Sequence, residues 1–545
     1  MSISCNDFIK IKNSFLCKHS ISKIFSVLYT LTLLRYLILL VNFKKKKPMS
    51  KKYIIAFDQG TASTRAIIFD LQGTIQGVSQ KELTQHYPKS GWVEHDPIQI
   101  YNDQKDTFET VLKDTGIPPN DIAAIGITNQ RETTVVWDKE TGAPIYNAIV
   151  WLDNRTKDIC KKLKDDGLEP YVREHTGLLI DAYFSGTKLK WILDNVEGAR
   201  EKAENGKLLF GTIDSWLIYK FTNGKQHVTD HTNASRTMLY NIKDLKWDAT
   251  LLSALDIPKS MLPEVKKSSS DFGSVTYNDI NIPIYGVAGD QQAALFGQGG
   301  LVEGIAKNTY GTGCFLLVNN GTDYVASKNG LITTLACSLP EQAQNYALEG
   351  SVFIGGASIQ WLRDKMQLIN DAKETEQICN SIPPLTDLYV VPAFAGLGAP
   401  YWDANAKGAI YGITLDIGKN EIIKATIEAL AYQTKDVIKA MEDDCGKPIT
   451  TLKVDGGASA NNYLMQFQSD ILDVRVDRPK MIETTALGAA LLAGLKAGVW
   501  TIHDIVSIRE VDQVFKPKMT IESRVEKYSG WLDAIKRTQT INNAE

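Results

Sequence analysis

The chain reads as an α/β protein built from two large domains, and three observations carry that reading. Its 545 residues and 60.4 kDa exceed one ordinary core and suit two large α/β domains or three small ones. From Tyr53 onward, short β-branched strands give way to alternating helix and strand patterns. Around Ile305 the opening strand-turn-strand pattern recurs, so that the pairs Gly60-Thr61 and Gly311-Thr312 stand 251 positions apart, a domain-sized repeat.

The first 48 residues stand apart in composition. Residues 1–51 carry nine Lys and Arg35 against the single acid Asp7, a net +9, so the remainder carries −12 of the overall −3. Ile24 to Phe43 is a 20-residue apolar stretch followed by Lys44 to Lys47, long enough to span a bilayer. Arg35 near its centre, Lys at both ends and the lack of a small-residue cleavage site weigh against a span or a signal peptide. Met49-Ser-Lys-Lys-Tyr-Ile-Ile-Ala-Phe-Asp58 resembles a fresh start before the first strand. Three readings stay open: a start assigned upstream of Met49, which is the favoured one, a membrane anchor, and a targeting peptide.

Beyond that extension the period-two segments Tyr53 to Asp58, Arg65 to Asp70 and Thr74 to Val78, separated by turns at Gln59–Ser63 and Gln72-Gly73, predict an antiparallel meander. A helical stretch near Ile98 to Asp114 then leads to the apolar strand Ile122 to Thr128. A strand ending at Thr309-Tyr310 turns at Gly311-Thr312-Gly313 and returns over Cys314 to Val318; the segment Gln298 to Gly304 marks the boundary between repeats.

Composition narrows the functional classes. Sixty basic against 63 acidic side chains supply no global attraction for nucleic acid. An apolar fraction of 43% with 23% charged residues is that of a folded globular protein. Seven scattered cysteines with no Cys-x-x-Cys pair predict reduced thiols and neither a zinc site nor a disulfide framework. No Gly-Lys pair precedes Ser or Thr, and no strand opens onto Gly-x-Gly-x-x-Gly, so the two commonest nucleotide fingerprints are missing. Three glycine turns offer another way to hold phosphate through converging backbone N–H groups: Asp58-Gln-Gly-Thr-Ala-Ser63, Tyr310-Gly-Thr-Gly313 and Asp455-Gly-Gly-Ala-Ser459. Any one alone reads as a hairpin turn. Together they point to a phosphate site, and Asp at two strand ends points to a divalent cation or a proton-transfer task.

This arrangement resembles the ATPase superfamily of actin, the heat-shock chaperones and the sugar kinases, which implies two ribonuclease-H-like, actin-like ATPase domains with an interdomain active-site cleft. Tyr183-Phe-Ser-Gly-Thr-Lys-Leu-Lys-Trp-Ile-Leu-Asp-Asn195, and Gly408-Ala-Ile-Tyr-Gly-Ile413 with Glu421 to Glu428, resemble the two signatures of the FGGY carbohydrate kinases. Asn129-Gln-Arg-Glu-Thr133, Gly289-Asp-Gln-Gln-Ala-Ala-Leu-Phe-Gly297, Pro392 to Asp403 and Asp455 to Gln468 resemble the glycerol-phosphorylating branch of that family, over about residues 52–530. The implied division is 1–48 outside the fold, 52–300 as the N-terminal domain with the polyol and first phosphate turn, and 301–545 as the C-terminal domain with adenosine, the second phosphate turn and a C-terminal tail.

The resemblance implies ATP-dependent, Mg²⁺-assisted phosphorylation of glycerol to sn-glycerol 3-phosphate in the cytoplasm, by a homo-oligomer, dimer or tetramer, that binds no nucleic acid. It assigns Asp290 as the base. It sets Arg131, Glu132, Tyr183 and Gln291 on glycerol hydroxyls, with Trp151 and Phe315 as walls against the carbon backbone. Such polar groups suit a substrate made of hydroxyls, because a wrong molecule leaves them unpaired. Taken alone, Arg131-Glu132 also fits a surface ion pair, and Asp290 a helix cap. Thr61, Ala62, Ser63 and Arg65 match the first phosphate turn and Thr312 the second; Gly356, Gln360, Gly457 and Asn461 match nucleotide contacts, and Asp58 the Mg²⁺ partner through water. Ala62 stands where the family usually has Thr, Leu152 and Asn154 where it often has Gln and Arg, and Lys407 where Arg is common. Two alternative activities are a related polyol or ketose kinase and a nucleotide-switched scaffold of the actin type.

Overall fold

The computed structural model describes residues 51–403 and 405–540. The anchor, targeting and start readings for residues 1–48 lie outside the described residues. Among these, no helix is long and apolar enough to cross a membrane, and the five described cysteines are all free thiols.

The elements that position the site are, in chain order, β1 (Tyr53–Gln59), β2 (Ser63–Asp70), β3 (Ile75–Glu82), α1 (Pro97–Thr115), β4 (Ile122–Asn129), α2 (Ser185–Asn195), β5 (Ser274–Tyr277), β6 (Ile280–Gly289) and α3 (Asp290–Gly297). They continue with β7 (Ile305–Tyr310), β8 (Cys314–Asn319), β9 (Ile332–Leu335), β10 (Tyr346–Val352), α4 (Gly356–Asp364), α5 (Lys419–Cys445), β11 (Thr451–Asp455), α6 (Asn462–Leu472), β12 (Arg475–Pro479), α7 (Thr484–Ala497) and β13 (Val511–Phe515).

Two mixed sheets repeat one plan. The first has the order β5-β6-β4-β1-β2-β3, and the second β9-β10-β8-β7-β11-β12-β13. In each, an antiparallel meander (β1-β2-β3; β7-β8-β10) adjoins two strands parallel to its first member (β4 and β6; β11 and β12). An antiparallel strand then closes that side (β5; β13). The repeat expected from the two Gly-Thr turns is therefore a repeat of strand order.

Local chemistry explains why these segments form. In α1 the Asp96 side chain accepts from the Ile98 N–H at 2.8 Å, Pro97 occupies the first turn, and Gly116 ends the helix with φ +65°. Every residue of β4 is buried, because this central strand is covered on both faces. The alternation in β1 separates two cores. Ile55 and Phe57 join Phe108 and Val111 of α1, whereas Ile54 and Ala56 join Ala486, Ala490 and Leu491 of α7. Burying each large aliphatic or aromatic side chain in this way contributes about 1.5–3 kcal/mol.

The packing of α7 does not follow the order of the chain. Although it lies beyond residue 480, it seats on the first sheet, and Trp500 just after it donates its indole N–H to the Leu71 carbonyl at 2.9 Å. Its close approach depends on glycines. A Cβ at Gly126 in β4 would lie 2.1 Å from the Ala489 carbonyl oxygen, and one at Gly488 would lie 1.9 Å from that of Ala293 in α3. A division at residue 300 describes the sequence repeat, and α7 crosses it.

Candidate active site

The carboxyl ends of three parallel strands deliver the first group of site residues to one edge. Register pairs Asp58 with Thr128, Gln59 with Asn129 and Gly289 with Asn129. The loop after β1, the Gln130-Arg131-Glu132 segment after β4 and Asp290 at the start of α3 therefore emerge side by side, where open α/β sheets place ligands. In the second sheet Thr309 pairs with Asp455, which brings the Gly311–Gly313 and Gly456–Ser459 turns together in the same way.

Arg131 and Glu132 are 3% and 1% exposed, so the surface ion-pair reading fails. Arg131 grips Glu349 end-on, with Nη1 at 2.5 Å and Nη2 at 2.9 Å. Its Nε side faces Asp290 at 3.2 Å, and Nη2 reaches the Tyr183 hydroxyl at 3.5 Å. Glu132 accepts from Arg236 Nε at 2.7 Å through Oε1, and Oε2 has no partner among the described residues. Gln291 accepts from the Lys307 ammonium through Oε1, which leaves its Nε2 unpaired among the described residues. The cluster thus offers an unused acceptor, an unused donor and the side edge of a guanidinium around Asp290.

Asp290 opens α3, and its Oδ1 accepts from the Gln291 N–H at 2.7 Å. The helix-cap reading does not hold, because Gly289 occupies the cap position without a side-chain cap bond and Asp290 is the first helical residue. Burial raises this carboxyl to about 6 against the lowering pull of Arg131. Burial also works against the charge of Glu349, but Arg131 and Arg236 overcome it and hold that carboxyl at about 2. Lys307 is lowered to about 8 by burial, with Asp455 and Asp290 pulling the other way.

Trp151 connects the two halves of the reading. Its ring meets Tyr183 edge-on at 5.4 Å, and its indole N–H donates to the Thr61 hydroxyl at 2.8 Å. Contacts therefore run without a break from Asp290 through Arg131, Tyr183 and Trp151 to the first glycine turn. Trp151→Phe keeps an aromatic ring beside Tyr183 and removes this bond, worth about 1 kcal/mol. We expect a rise of about fivefold in the KM for ATP, measured by steady-state kinetics at saturating polyol.

The remaining nucleotide candidates fall into two turns and a loop. Gly60 N–H bonds the Ser63 carbonyl at 2.9 Å, and Ala62 is exposed beside it. Arg65 does not point to an open turn, because it bridges Asp58 and Glu483, the latter at 2.7 Å. In the second turn Thr312 is exposed, and its carbonyl accepts from Gly355 at 2.9 Å and Ala357 at 3.1 Å. Gly356, whose N–H bonds the Gly311 carbonyl at 2.8 Å, and exposed Gln360 thereby sit on a helix tied to that turn. Gly456 has φ +83°, and a Cβ there would lie 2.5 Å from the Tyr310 carbonyl oxygen, so the loop carrying Gly457 packs against the same strand end. Asn461 caps α6, accepting from Leu464 at 2.9 Å and donating to Thr375 at 3.0 Å. Phe315 lies on β8 opposite Thr309 and Ser351, on the sheet face that Lys307 and Glu349 share.

The carboxylates fit a hydrated magnesium ion held mainly by phosphate. Asp58 gives Oδ2 to Arg65 and leaves Oδ1 without a partner, and no cluster of three or more metal-ligating side chains occurs among the described residues.

Three site residues escape the sequence reading: Arg236, Lys307 and Glu349, each essentially fully buried. For Lys307 and Glu349 the available signal is a charge inside a strand pattern that is otherwise buried, as in Ala347-Leu-Glu-Gly350; Arg236, in a turn, carries no such signal.

Comparison with known proteins agrees with the geometry. Residues 53–297 match the N-terminal domain of the FGGY family of carbohydrate kinases, and residues 306–497 match its C-terminal domain. The glycerol kinase of Alkaliphilus oremlandii is 60% identical over 491 residues, 89% of this chain and 97% of that protein. The glycerol kinase of Fusobacterium nucleatum is 61% identical over 493 residues, 90% of this chain and 99% of that protein. Among solved structures, Plasmodium falciparum glycerol kinase with ADP aligns with a TM-score of 0.84 at 38% identity, covering 90% of this chain and 98% of that one. The chain therefore belongs to the FGGY family of carbohydrate kinases, in its glycerol kinase branch.

Proposed function

We propose that the protein transfers the γ-phosphoryl group of ATP to glycerol, giving sn-glycerol 3-phosphate and ADP. The observation that carries this reading is the grouping around Asp290: a half-buried carboxylate beside the side edge of Arg131, the unused Glu132 Oε2, the unused Gln291 Nε2 and the Tyr183 hydroxyl. Three hydroxyl groups on adjacent carbons match such a set of donors and acceptors, and Trp151 and Phe315 flank the carbon chain.

Asp290 accepts the proton of the terminal hydroxyl as its oxygen forms the new bond to the γ-phosphorus and the bond to the leaving ADP oxygen breaks. Phosphoryl transfer has a loose transition state, so alignment and charge neutralisation lower the barrier more than proton removal does. The turns at Thr61–Ser63 and Thr312 hold phosphate oxygens by backbone N–H groups and hydroxyls. Gly356, Gln360, Gly457 and Asn461 border the nucleoside, Asn461 by holding its loop in place. Arg65 acts through Asp58, which it orients, and Asp58 is the residue that would hold a hydrated Mg²⁺. Magnesium, when bound, neutralises charge on the β- and γ-phosphates. The same reading makes the protein a cytoplasmic homo-oligomer, a dimer or tetramer.

Steady-state ADP release with Mg-ATP tests the assignment across glycerol, dihydroxyacetone, erythritol and xylulose. Glycerol is expected to have the highest kcat/KM, by tenfold or more over the longer polyol and the ketopentose, because their extra carbons meet Trp151 and Phe315. About tenfold is what 1.4 kcal/mol of misfit costs. Equal turnover of all four, or ATP binding without turnover of any, sinks the reading.

A further inference from the structure

The second sheet, which carries the Gly311–Gly313 and Gly456–Ser459 turns, also reaches the polyol side of the site. Lys307 on β7 and Glu349 on β10 both lie in register with Leu317 of β8, which places the two charges in one row across three strands. Both are buried, and both reach residues that the first sheet positions: Glu349 meets Arg131, which follows β4, and Lys307 meets Gln291, which follows β6. Glu349 takes the end-on fork of Arg131 with both carboxylate oxygens and also accepts from Arg236 Nη2 at 3.1 Å. Lys307 donates to Gln291 Oε1 and to the Thr309 hydroxyl at 2.9 Å.

Each of these contacts occupies the far end of a polyol-facing group and thereby decides what its near end presents. With the fork of Arg131 taken, only the Nε side edge is turned toward Asp290 and Tyr183. With Oε1 of Gln291 taken, the amide is locked against a flip and presents only its unpaired Nε2 donors. We propose that Lys307 and Glu349 are positioning residues for polyol specificity: they hold Gln291 and Arg131 donor-outward, so that the pocket offers N–H groups on two sides and the acceptors Asp290 and Glu132 on the others. Such a pattern accepts a molecule whose neighbouring hydroxyls can donate and accept in turn. It rejects one that presents only acceptors where Glu132 and Asp290 stand.

This proposal rests on the assignment of Arg131 and Gln291 to the polyol, and a double-mutant cycle separates the two. Lys307→Met, Gln291→Ala and the double variant are compared with the wild-type protein for the KM of glycerol, the KM of ATP and kcat. Each single change is expected to raise the KM for glycerol about tenfold, the size of one lost oriented hydrogen bond, and to leave the KM for ATP within about twofold. The double variant is expected to be no worse than Gln291→Ala alone, because Lys307 acts through Gln291. Additive losses, or an unchanged glycerol KM in Lys307→Met, overturn the proposal. The near-isosteric Glu349→Gln is measured in parallel and decides the matter if Lys307→Met does not fold. It is expected to show the same split between the two KM values, and an unchanged glycerol KM there overturns the proposal. Wild-type protein without glycerol turnover would instead sink the underlying assignment.

Discussion

Replacing Asp290 by Asn is expected to lower kcat by about 10²- to 10⁴-fold, the range of a lost general base, with the KM values for glycerol and ATP changed far less. The substitution keeps the shape of the side chain but removes its charge opposite Arg131, turns one acceptor oxygen into a donor and abolishes the capacity to accept a proton. The pH profile makes the result specific. With Asp290 as the proposed base, the active form is the one with its carboxylate ionised, and burial raises its pKa to about 6 despite Arg131 at 3.2 Å. In the wild-type protein kcat/KM should therefore be level above that pH and fall tenfold per unit below it, as the carboxyl takes up a proton and can no longer receive one. In Asp290→Asn this acid limb should vanish from the residual rate. A variant with wild-type kcat, or with an unaltered acid limb, assigns the base elsewhere.

The second large effect is on folding. Gly488→Val in α7 is expected to destabilise the protein by about 3 kcal/mol or more, the upper range for overpacking a close contact. Glycine costs about 1 kcal/mol of helix propensity relative to Ala, so a residue with a side chain would ordinarily help a helix here. Contact geometry decides against it, because a Cβ at this position lies 1.9 Å from the Ala293 carbonyl oxygen and backbone cannot move aside as a side chain can. Urea denaturation read by circular dichroism, with Gly498→Ala after the same helix as a comparison, measures the loss. The comparison separates backbone conformation from contact, since Gly498 has φ +70° and open space around its Cβ direction. A midpoint for Gly488→Val equal to that of the wild-type protein would mean that α7 can separate from α3 at no cost.

Much of the fold was legible because the informative signals are local. The meander, the α1 helix and the strand into Asn129 follow from period-two and period-3.6 patterns bounded by turn residues, and the structure places these elements within a few residues of the expected ends. The recurrence of Gly-Thr after a strand revealed the repeat because both copies need the same turn. The site was legible only through long motifs. Arg131-Glu132 as a dipeptide cannot announce that it is buried, since its burial depends on Glu349, 218 positions away from Arg131, and on Arg236, 104 positions away from Glu132. Glu349 was missed for the same reason, whereas Lys307 answers Gln291 only 16 positions away and was missed because a Lys inside a strand pattern does not announce its burial. The role expected of Arg65 shifts on similar grounds, because its ion pairs are made to Asp58 across the hairpin and to Glu483 far along the chain.

The position of α7 also has a consequence during synthesis. The first sheet is complete on the ribosome once Gly289 has emerged, but the face that carries Ile54, Ala56, Ile67 and Phe69 lacks most of its cover until residues 484–497 follow, almost 200 positions later, with Ala293 and Phe296 of α3 supplying only part of it. At about 5–20 residues per second, that interval is on the order of ten seconds or more of exposed apolar sheet. Truncation before Thr484 should yield aggregates rather than a soluble half-protein, and pairing the two halves from separate chains would require that one helix to find its groove.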